Sequence, residues 1–316
     1  MTLLNCYTII YIICIGGERL TASIQIQTVL YNNEIQHIQR SAAAIRDAVL
    51  FAKKRGIIDS AVLCYGDSSA APLFDENEIA RLNADLDELP VQYTFFNRNM
   101  GSAGGQNRLA EGSGADYLWI INPDIIPTKN VFEELLKPFS TENTGITECK
   151  QLPVEHPKGF NRETGETSWA MGSCTFIKRS VFEQAGGYDA ESFFMYCDDV
   201  DLSWRVRLNG YKVIFAPTAA FFHDKRFGKE GEWLPGDAEI YYSSEAAMLM
   251  AYKWSYPELF KEIMQDHERS KHPLHRKALE AVKKRLAEGK MPAPIDPKHT
   301  VGEIVNRYYG EMRYII

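Results

Sequence analysis

Apolar and polar residues follow two distinct periods along the first half of this chain. Residues 24–31 (IQIQTVLY) alternate one by one and are rich in β-formers, which predicts a strand. Ile35, Ile38, Ala42, Ile45, Val49 and Ala52 then recur at helical spacing, and Gly56 supplies the stop. Residues 61–65 read as a short buried strand followed by a Gly-Asp-Ser-Ser turn, residues 77–89 as a helix and residues 91–96 as a third strand. A glycine-rich loop and a short helix around residues 107–111 come next. Residues 117–121 (YLWII) are apolar throughout and end at the corner Asn122-Pro123-Asp124, after which Thr128 is placed to cap a helix carrying Val131, Phe132, Leu135, Leu136 and Phe139.

Strands alternating with helices predict an α/β fold, with a doubly wound, mostly parallel sheet over residues 24–140. Ligands of such sheets bind beyond the carboxyl ends of the strands, which selects Tyr31-Asn32, the turn at Asp67 and the 122–124 corner. Residues 141–223 are less periodic, richer in glycine and aromatics, and carry a predicted helix at about 198–209. From Asp237 the pattern predicts helices to the end, broken at Pro257, Pro273 and residues 291–297. The chain thus divides into an extension (1–23), a main domain (24–236, in halves 24–140 and 141–236) and a helical C-terminal extension (237–316).

Composition narrows the classes. A chain of 316 residues buries a full core without staples, and 45% apolar with 24% charged residues describes an ordinary globular protein. Against 35 Lys+Arg stand 42 Asp+Glu, a net charge of -7 that argues against nucleic acid as a partner. The six cysteines form no CxxC pair, so neither a zinc site nor a disulfide framework is expected, and a reducing compartment suits them. The apolar run at residues 7–15 is too short to span a bilayer and lacks a basic leader. Residues 261–300 hold ten Lys+Arg and six Asp+Glu, a local excess open to three readings: contact with an anionic membrane, homo-oligomerisation through these helices, or a solvated helical cap.

Four constellations carry candidate chemistry. Asp124, after the most apolar strand, is placed to hold Mg²⁺ or Mn²⁺ against phosphate oxygens, although Asn-Pro-Asp is also good turn chemistry. Asp198, Asp199 and Asp201 open a helix, where capping is one explanation. The aromatic approach Phe193-Phe194-Met195-Tyr196 gives another, a carboxylate with raised proton affinity suited to a general base, for which Asp199 is the candidate. Asp201 and Arg205 are spaced to pair on one helical face. His223, at the end of an apolar run, reads as a core residue unless Asp124 holds a metal that its imidazole completes. Residues 97–107 (NRNMGSAGGQN) make a glycine-rich turn into a helix N-terminus, an anion-friendly arrangement that lacks dinucleotide spacing. Two weaker features are set aside: the segment Gly16-Gly17-Glu18-Arg19-Leu20, which precedes the first strand, and His272 with His275, which bracket Pro273.

Taken in order, the segments TVLYNNE, YGDSS, NRNMGSAGGQN, INPD, GSCTFIKRSVFEQAGGYD and FFMYCDDVDLSWRVRLNGYKVIF, with the later His, resemble the family 2 inverting glycosyltransferases of the GT-A fold. The resemblance covers residues 23–227 and is greatest to the branch of rhamnosyl- and galactofuranosyltransferases. It implies a nucleoside-diphosphate sugar as donor, a glycan or lipid-linked acceptor, and a divalent metal. It places Asp124 at the last acid of the family's DXD motif and His223 at a second metal ligand, with Asp199 as the base. Tyr31, Asn32, Asp67, Asn99, Gly104, Asn107, Asn122 and Asp198 fall along the donor site, and Trp169 and Gly172 border the sugar and acceptor. Two departures accompany it. Only the final acid of the metal motif is kept, and Cys64-Tyr65-Gly66 intervene before Asp67, where the family has an acid at the end of the second strand. A cytoplasmic location, with peripheral contact at the inner face of the plasma membrane, is the setting expected of such an enzyme. Two rivals of other classes are a nucleotidyltransferase, whose glycine loop after the first strand is missing, and a non-catalytic nucleotide-sugar-binding scaffold of the same fold.

Overall fold

The computed structural model describes residues 14–15, 18–19, 22–141, 143–223 and 234–313. Two short strands, β1 (Cys14–Ile15) and β2 (Glu18–Arg19), pair with each other apart from the main sheet. The rest of the expected extension, up to residue 21, lies outside the described residues.

The four predicted strands form the parallel half of an eight-stranded sheet. They are β3 (Ala22–Leu30), β4 (Ile58–Asp67), β5 (Val91–Phe95) and β6 (Tyr117–Ile121), in the order β5-β4-β3-β6. Helix α1 (Ile35–Lys54) buries Ile38, Ala42, Ile45, Val49 and Ala52, the stripe set by its period, and ends before Gly56 at φ +65°. Helix α2 (Glu76–Asp85) starts at a reciprocal cap between Asp75 and Glu78. The alternation in β3 has an unexpected cause. Its polar positions are buried too: Gln25 donates to Gln27, and Gln27 donates to Gln106 of helix α3 (Gly101–Ala110).

Three local expectations change. Strand β4 continues to Asp67 because Gly66 sits under the Phe96 ring, where a Cβ would overlap Cζ. The glycine-rich segment is helix from Gly101 onward, six residues before the predicted start. Gly101 turns the chain at φ +69°, and a Cβ there would overlap the Phe194 carbonyl oxygen. Helix α4 (Val131–Leu136) opens after Asn130, and Thr128 contributes its carbonyl to Val131 N–H rather than a side-chain cap.

The second half completes the sheet as β6-β9-β8-β10-β7, with β7 (Ile125–Pro127), β8 (Thr144–Leu152), β9 (Cys174–Lys178) and β10 (Lys212–His223). Strand β9 runs antiparallel to both neighbours, and β7 is antiparallel to β10, so this half of the sheet is mixed. Helices α5 (Arg179–Gln184) and α6 (Asp198–Leu208) belong to it. The C-terminal helices are α7 (Asp237–Lys253), α8 (Pro257–Arg269) and α9 (Pro273–Ala287), the last two opened by a proline in the first turn. Their Met248, Leu249, Trp254, Phe260 and Leu279 belong to the same core as Ile24, Ile26 and Trp119 of the sheet. Residues 288–313 are not helical, against expectation. Instead, Asp296 collects Thr300 N–H, Val301 N–H, Gly302 N–H and the Thr300 hydroxyl, and Gly302 packs against Trp254. Those N–H groups, once burial is offset, hold the Asp296 carboxyl down at about 2. Among the described residues no helix is long and apolar enough to cross a membrane, and Cys64, Cys149, Cys174 and Cys197 are free thiols.

Candidate active site

Two strand ends meet on one side of the sheet. The corner after β6 carries Asn122 and Asp124, and the end of β10 carries His223. They converge because β7, the strand just after the corner, pairs His223 with Ile125. His223 Nε2 lies 3.3 Å from Asp124 Oδ1 and 3.3 Å from the Asn122 amide nitrogen. Its Nδ1 faces Gln151 Oε1, also at 3.3 Å. A proton on Nδ1, donated to Gln151, leaves Nε2 to accept from the Asn122 amide beside Asp124, a tautomer whose Nε2 could also ligate a cation. Among the described residues no cluster of three or more His, Cys, Asp or Glu side chains is placed to hold a metal. Asp124 and His223 place one hard oxygen and one imidazole side by side, two groups that could hold a cation taking its remaining ligands from phosphate and water.

The acidic pair stands at the opening of α6. Cys197 precedes it in the left-handed region at φ +59°. Asp198 is buried, and the half-buried Asp199 accepts Gly172 N–H at 2.7 Å and Val200 N–H at 2.8 Å. Burial, and then the neighbouring Asp199 charge, pushes Asp198 up to about 7. Burial also raises Asp199, opposed by the two N–H donors. Asp201 is wholly buried and structural: it pairs with Arg205 at 2.8 Å, as its spacing predicts, and with Lys253 at 2.7 Å, and it accepts Trp254 Nε1–H.

Hydrogen bonds on either side of the Gly172–Ser173 peptide link join the two groups. Gln151 contacts both His223 and the Ser173 hydroxyl, Ser173 O accepts Asn122 N–H, and the adjacent Gly172 N–H donates to Asp199. Trp169, three residues before Gly172, is largely buried with Lys158 Nζ 4.0 Å from its ring centroid. The structure thus brings Asn122, Asp124, His223, Gly172 and Asp199 into one connected arrangement. Gln151, Glu148 and Lys158 take part in it without having been singled out from the sequence.

The remaining candidates have hydrogen-bond or packing partners of their own. Asp67 sits at the end of β4 after all, so the expected departure from the family pattern disappears. Its carboxylate is nevertheless fully buried and bound to Ser69 N–H, Leu73 N–H and the Tyr93 hydroxyl, an organiser of the following turn. Tyr31 is exposed after β3, and Asn32, at φ +53°, donates its N–H to Ser69 Oγ. Residues 97–107, expected as an anion-friendly turn, have several of their polar groups bound within the protein. The amides of Met100, Gly101 and Ser102 are already satisfied by Ser68 Oγ, Asn99 Oδ1 and Phe194 O. Gly104 packs near Ala190, and both ends of the Asn107 amide bind the Tyr188 backbone. A cavity of about 400 Å³ lies beside Asn107, Asp189, Arg205 and Lys253, and none of Asp124, Asp198, Asp199 or His223 lines it.

No protein-family model matches the chain. Over 94 residues, 29% of this chain and 27% of the relative, it is 37% identical to the N-acetylglucosaminyl-diphospho-decaprenol L-rhamnosyltransferase of Mycobacterium tuberculosis. Over 154 residues, 37% of this chain and 58% of the relative, it is 34% identical to rhamnosyltransferase WbbL of Escherichia coli. The low-salt glycan biosynthesis hexosyltransferase Agl10 of Haloferax volcanii is 28% identical over 149 residues, 39% of this chain and 48% of the relative. The chain therefore spans between 27% and 58% of the length of these relatives. Among solved structures, GalNAc-T7 with UDP, GalNAc and Mn²⁺ aligns with a TM-score of 0.60 at 14% identity, covering 86% of this chain and 56% of that one. The mannosyltransferase PcManGT of Pyrobaculum calidifontis, with GDP-Man and Mn²⁺, aligns with a TM-score of 0.54 at 16% identity, covering 85% and 81%.

Proposed function

We propose that the chain is a GT-A-fold glycosyltransferase of the rhamnosyltransferase-like branch, a reading its relatives and structural neighbours support, and that it moves a sugar from a nucleoside-diphosphate sugar to a glycan or lipid-linked acceptor, with inversion and with Asp199 as general base. The observation that carries this reading is the connection from the Asp124–His223 pair by hydrogen bonds through Gln151 to Ser173, and from its chain neighbour Gly172 by a further hydrogen bond to Asp199. It ties a cation-suited pair to a carboxylate suited to accept a proton, as a displacement at a sugar carbon requires.

In the proposed reaction the acceptor oxygen attacks the anomeric carbon from the face opposite the diphosphate. The new C–O bond forms as the bond to the phosphate oxygen breaks, and that electron pair leaves with the nucleoside diphosphate. The acceptor proton passes to Asp199, whose two bonds from Gly172 and Val200 N–H fix its plane and leave a lone pair on each oxygen. A divalent cation, bound at Asp124 and His223, would neutralise charge on the diphosphate. Gln151 orients the His223 ring, and Asp198 sets the local field at the helix opening. Neighbours that hold Mn²⁺ with UDP or GDP-Man support the choice of cofactor and donor class.

Asp199→Asn keeps the size and the acceptor oxygen for Gly172 N–H but cannot take a proton. Transfer is expected to fall by about 10²–10⁴-fold while nucleotide binding by calorimetry stays intact. Transfer at the wild-type rate would remove Asp199 from the role of base. Release of nucleoside diphosphate from a sugar-nucleotide separates this reading from a binding scaffold, which releases none.

A further inference from the structure

Glu148 lies within β8 and Lys158 in the loop that follows. Their side chains, 0% and 6% exposed, meet at 2.6 Å. Burying two charges costs more than one contact returns, so such a pair is weak evidence for stability and calls for another explanation. What it touches supplies one. Lys158 Nζ donates to the Trp169 carbonyl and lies over the Trp169 ring. Glu148 Oε2 accepts Met171 N–H at 2.9 Å.

The two neighbouring contacts come from the helix of the base. Ala170 N–H donates to Ser203 Oγ at 3.0 Å, and the Ser203 hydroxyl donates to the Asp199 carbonyl at 2.7 Å. Gly172 N–H donates to Asp199 Oδ2. The consecutive residues 169–172 are therefore each held by a side chain through a backbone group, alternately from the ion pair and from α6. An apolar pair of the same volume would leave Trp169 C=O and Met171 N–H without partners. Lys158 is itself fixed from the far end of the sequence. It bridges to Met312, Gly159 N–H donates to Glu311 O at 2.7 Å, and Arg313 N–H donates to Pro157 O at 2.7 Å.

We propose that Glu148 and Lys158 are positioning residues for the base: by holding residues 169–172 they set the direction from which Gly172 N–H grips Asp199, and so where its free lone pair points. The proposal rests on the reading of Asp199 given above. A base displaced by an ångström loses turnover without losing donor affinity.

Removing one partner alone leaves a buried charge unpaired, so the test uses the double variant Glu148→Leu/Lys158→Met, which removes both charges together with the acceptor for Met171 N–H and the donor to the Trp169 carbonyl. Steady-state kinetics and local hydrogen exchange are measured on it beside Asp199→Asn. The expected result is a kcat lower by about 10- to 100-fold, a donor KM within about twofold of wild type, and loss of exchange protection confined to residues 169–173. Unchanged kcat with Asp199→Asn inactive would overturn the positioning role alone. Protection unchanged at residues 169–173 would overturn the clamp itself. Asp199→Asn active at the wild-type rate would overturn the base reading and the catalytic part of this proposal with it.

Discussion

At the scale of single residues, Asp198 shows how burial is converted into pH dependence. Its carboxyl is pushed up to about 7 by burial and by the adjacent Asp199 charge, well above the value of an exposed aspartate. Folding therefore takes up a proton at this site. The stability it contributes is complete below about pH 4 and is lost as pH rises through about 7. Asp198→Asn, neutral at every pH, is expected to melt higher than wild type at pH 8, with the gap closing at pH 5. Equal melting temperatures at pH 8 would show that the buried charge costs nothing. For Asp199 the sign acts on activity, since only the ionised carboxylate accepts a proton, so transfer should rise with pH through its raised pKa.

The residues that could be found from the sequence share one property. Asp124 and His223 each close an apolar run, and Asp198 and Asp199 open a helix, so position in the pattern marks them without any knowledge of contacts. Glu148, Gln151 and Lys158 carry no such mark. Glu148 and Gln151 stand in a strand where a polar residue ordinarily signals a solvent face, and their partners come from a loop and from other strands. Their burial depends on what packs over β8, and one-dimensional periodicity does not contain it.

Among elements, the glycine-rich segment gives the clearest case of chemistry outweighed by packing. It looks like an anion cradle, but its first amides are taken by protein oxygens and its glycines admit close neighbours. A Cβ at Gly105 would lie 2.5 Å from Val29 Cγ2. Gly101→Ala should accordingly destabilise the fold by about 1 kcal/mol or more, because it combines a left-handed backbone with contact on the Phe194 carbonyl. Thermal or urea melts check this, and a stability equal to wild type would deny the close approach. Strand β4 makes the converse point. Gly66 reads as a turn residue, yet it is strand because Phe96 needs the space, and Asp67 becomes the strand's last residue.

For the molecule as a whole, the alternation of strands and helices made the parallel half of the sheet legible. The antiparallel entry of β9 was not, since strand direction is set by pairing partners rather than by local pattern. The C-terminal region was expected as an extension of helices. Three helices form there, with Phe260, Ile263, Ala278, Leu279 and Val282 buried, and residues 308–313 reach back to Ser168, Gly159 and Cys197. Truncation after Tyr256 should therefore yield unfolded or aggregated protein, because it uncovers that core. A soluble, cooperatively melting fragment would show that these helices are an independent unit.

The central claim is that Asp124 and His223 hold a cation against a nucleoside diphosphate beside Asp199. The direct measurement is the thermal shift given by UDP, dTDP and GDP, each with and without Mn²⁺, for wild type and Asp124→Ala. Ligand at about 100 times its Kd adds roughly 2.7 kcal/mol, or about 4 °C for a chain of this size. One nucleotide should raise the melting temperature only with the metal present, and Asp124→Ala should abolish that shift. A shift that ignores the metal, or that survives Asp124→Ala, would contradict the account.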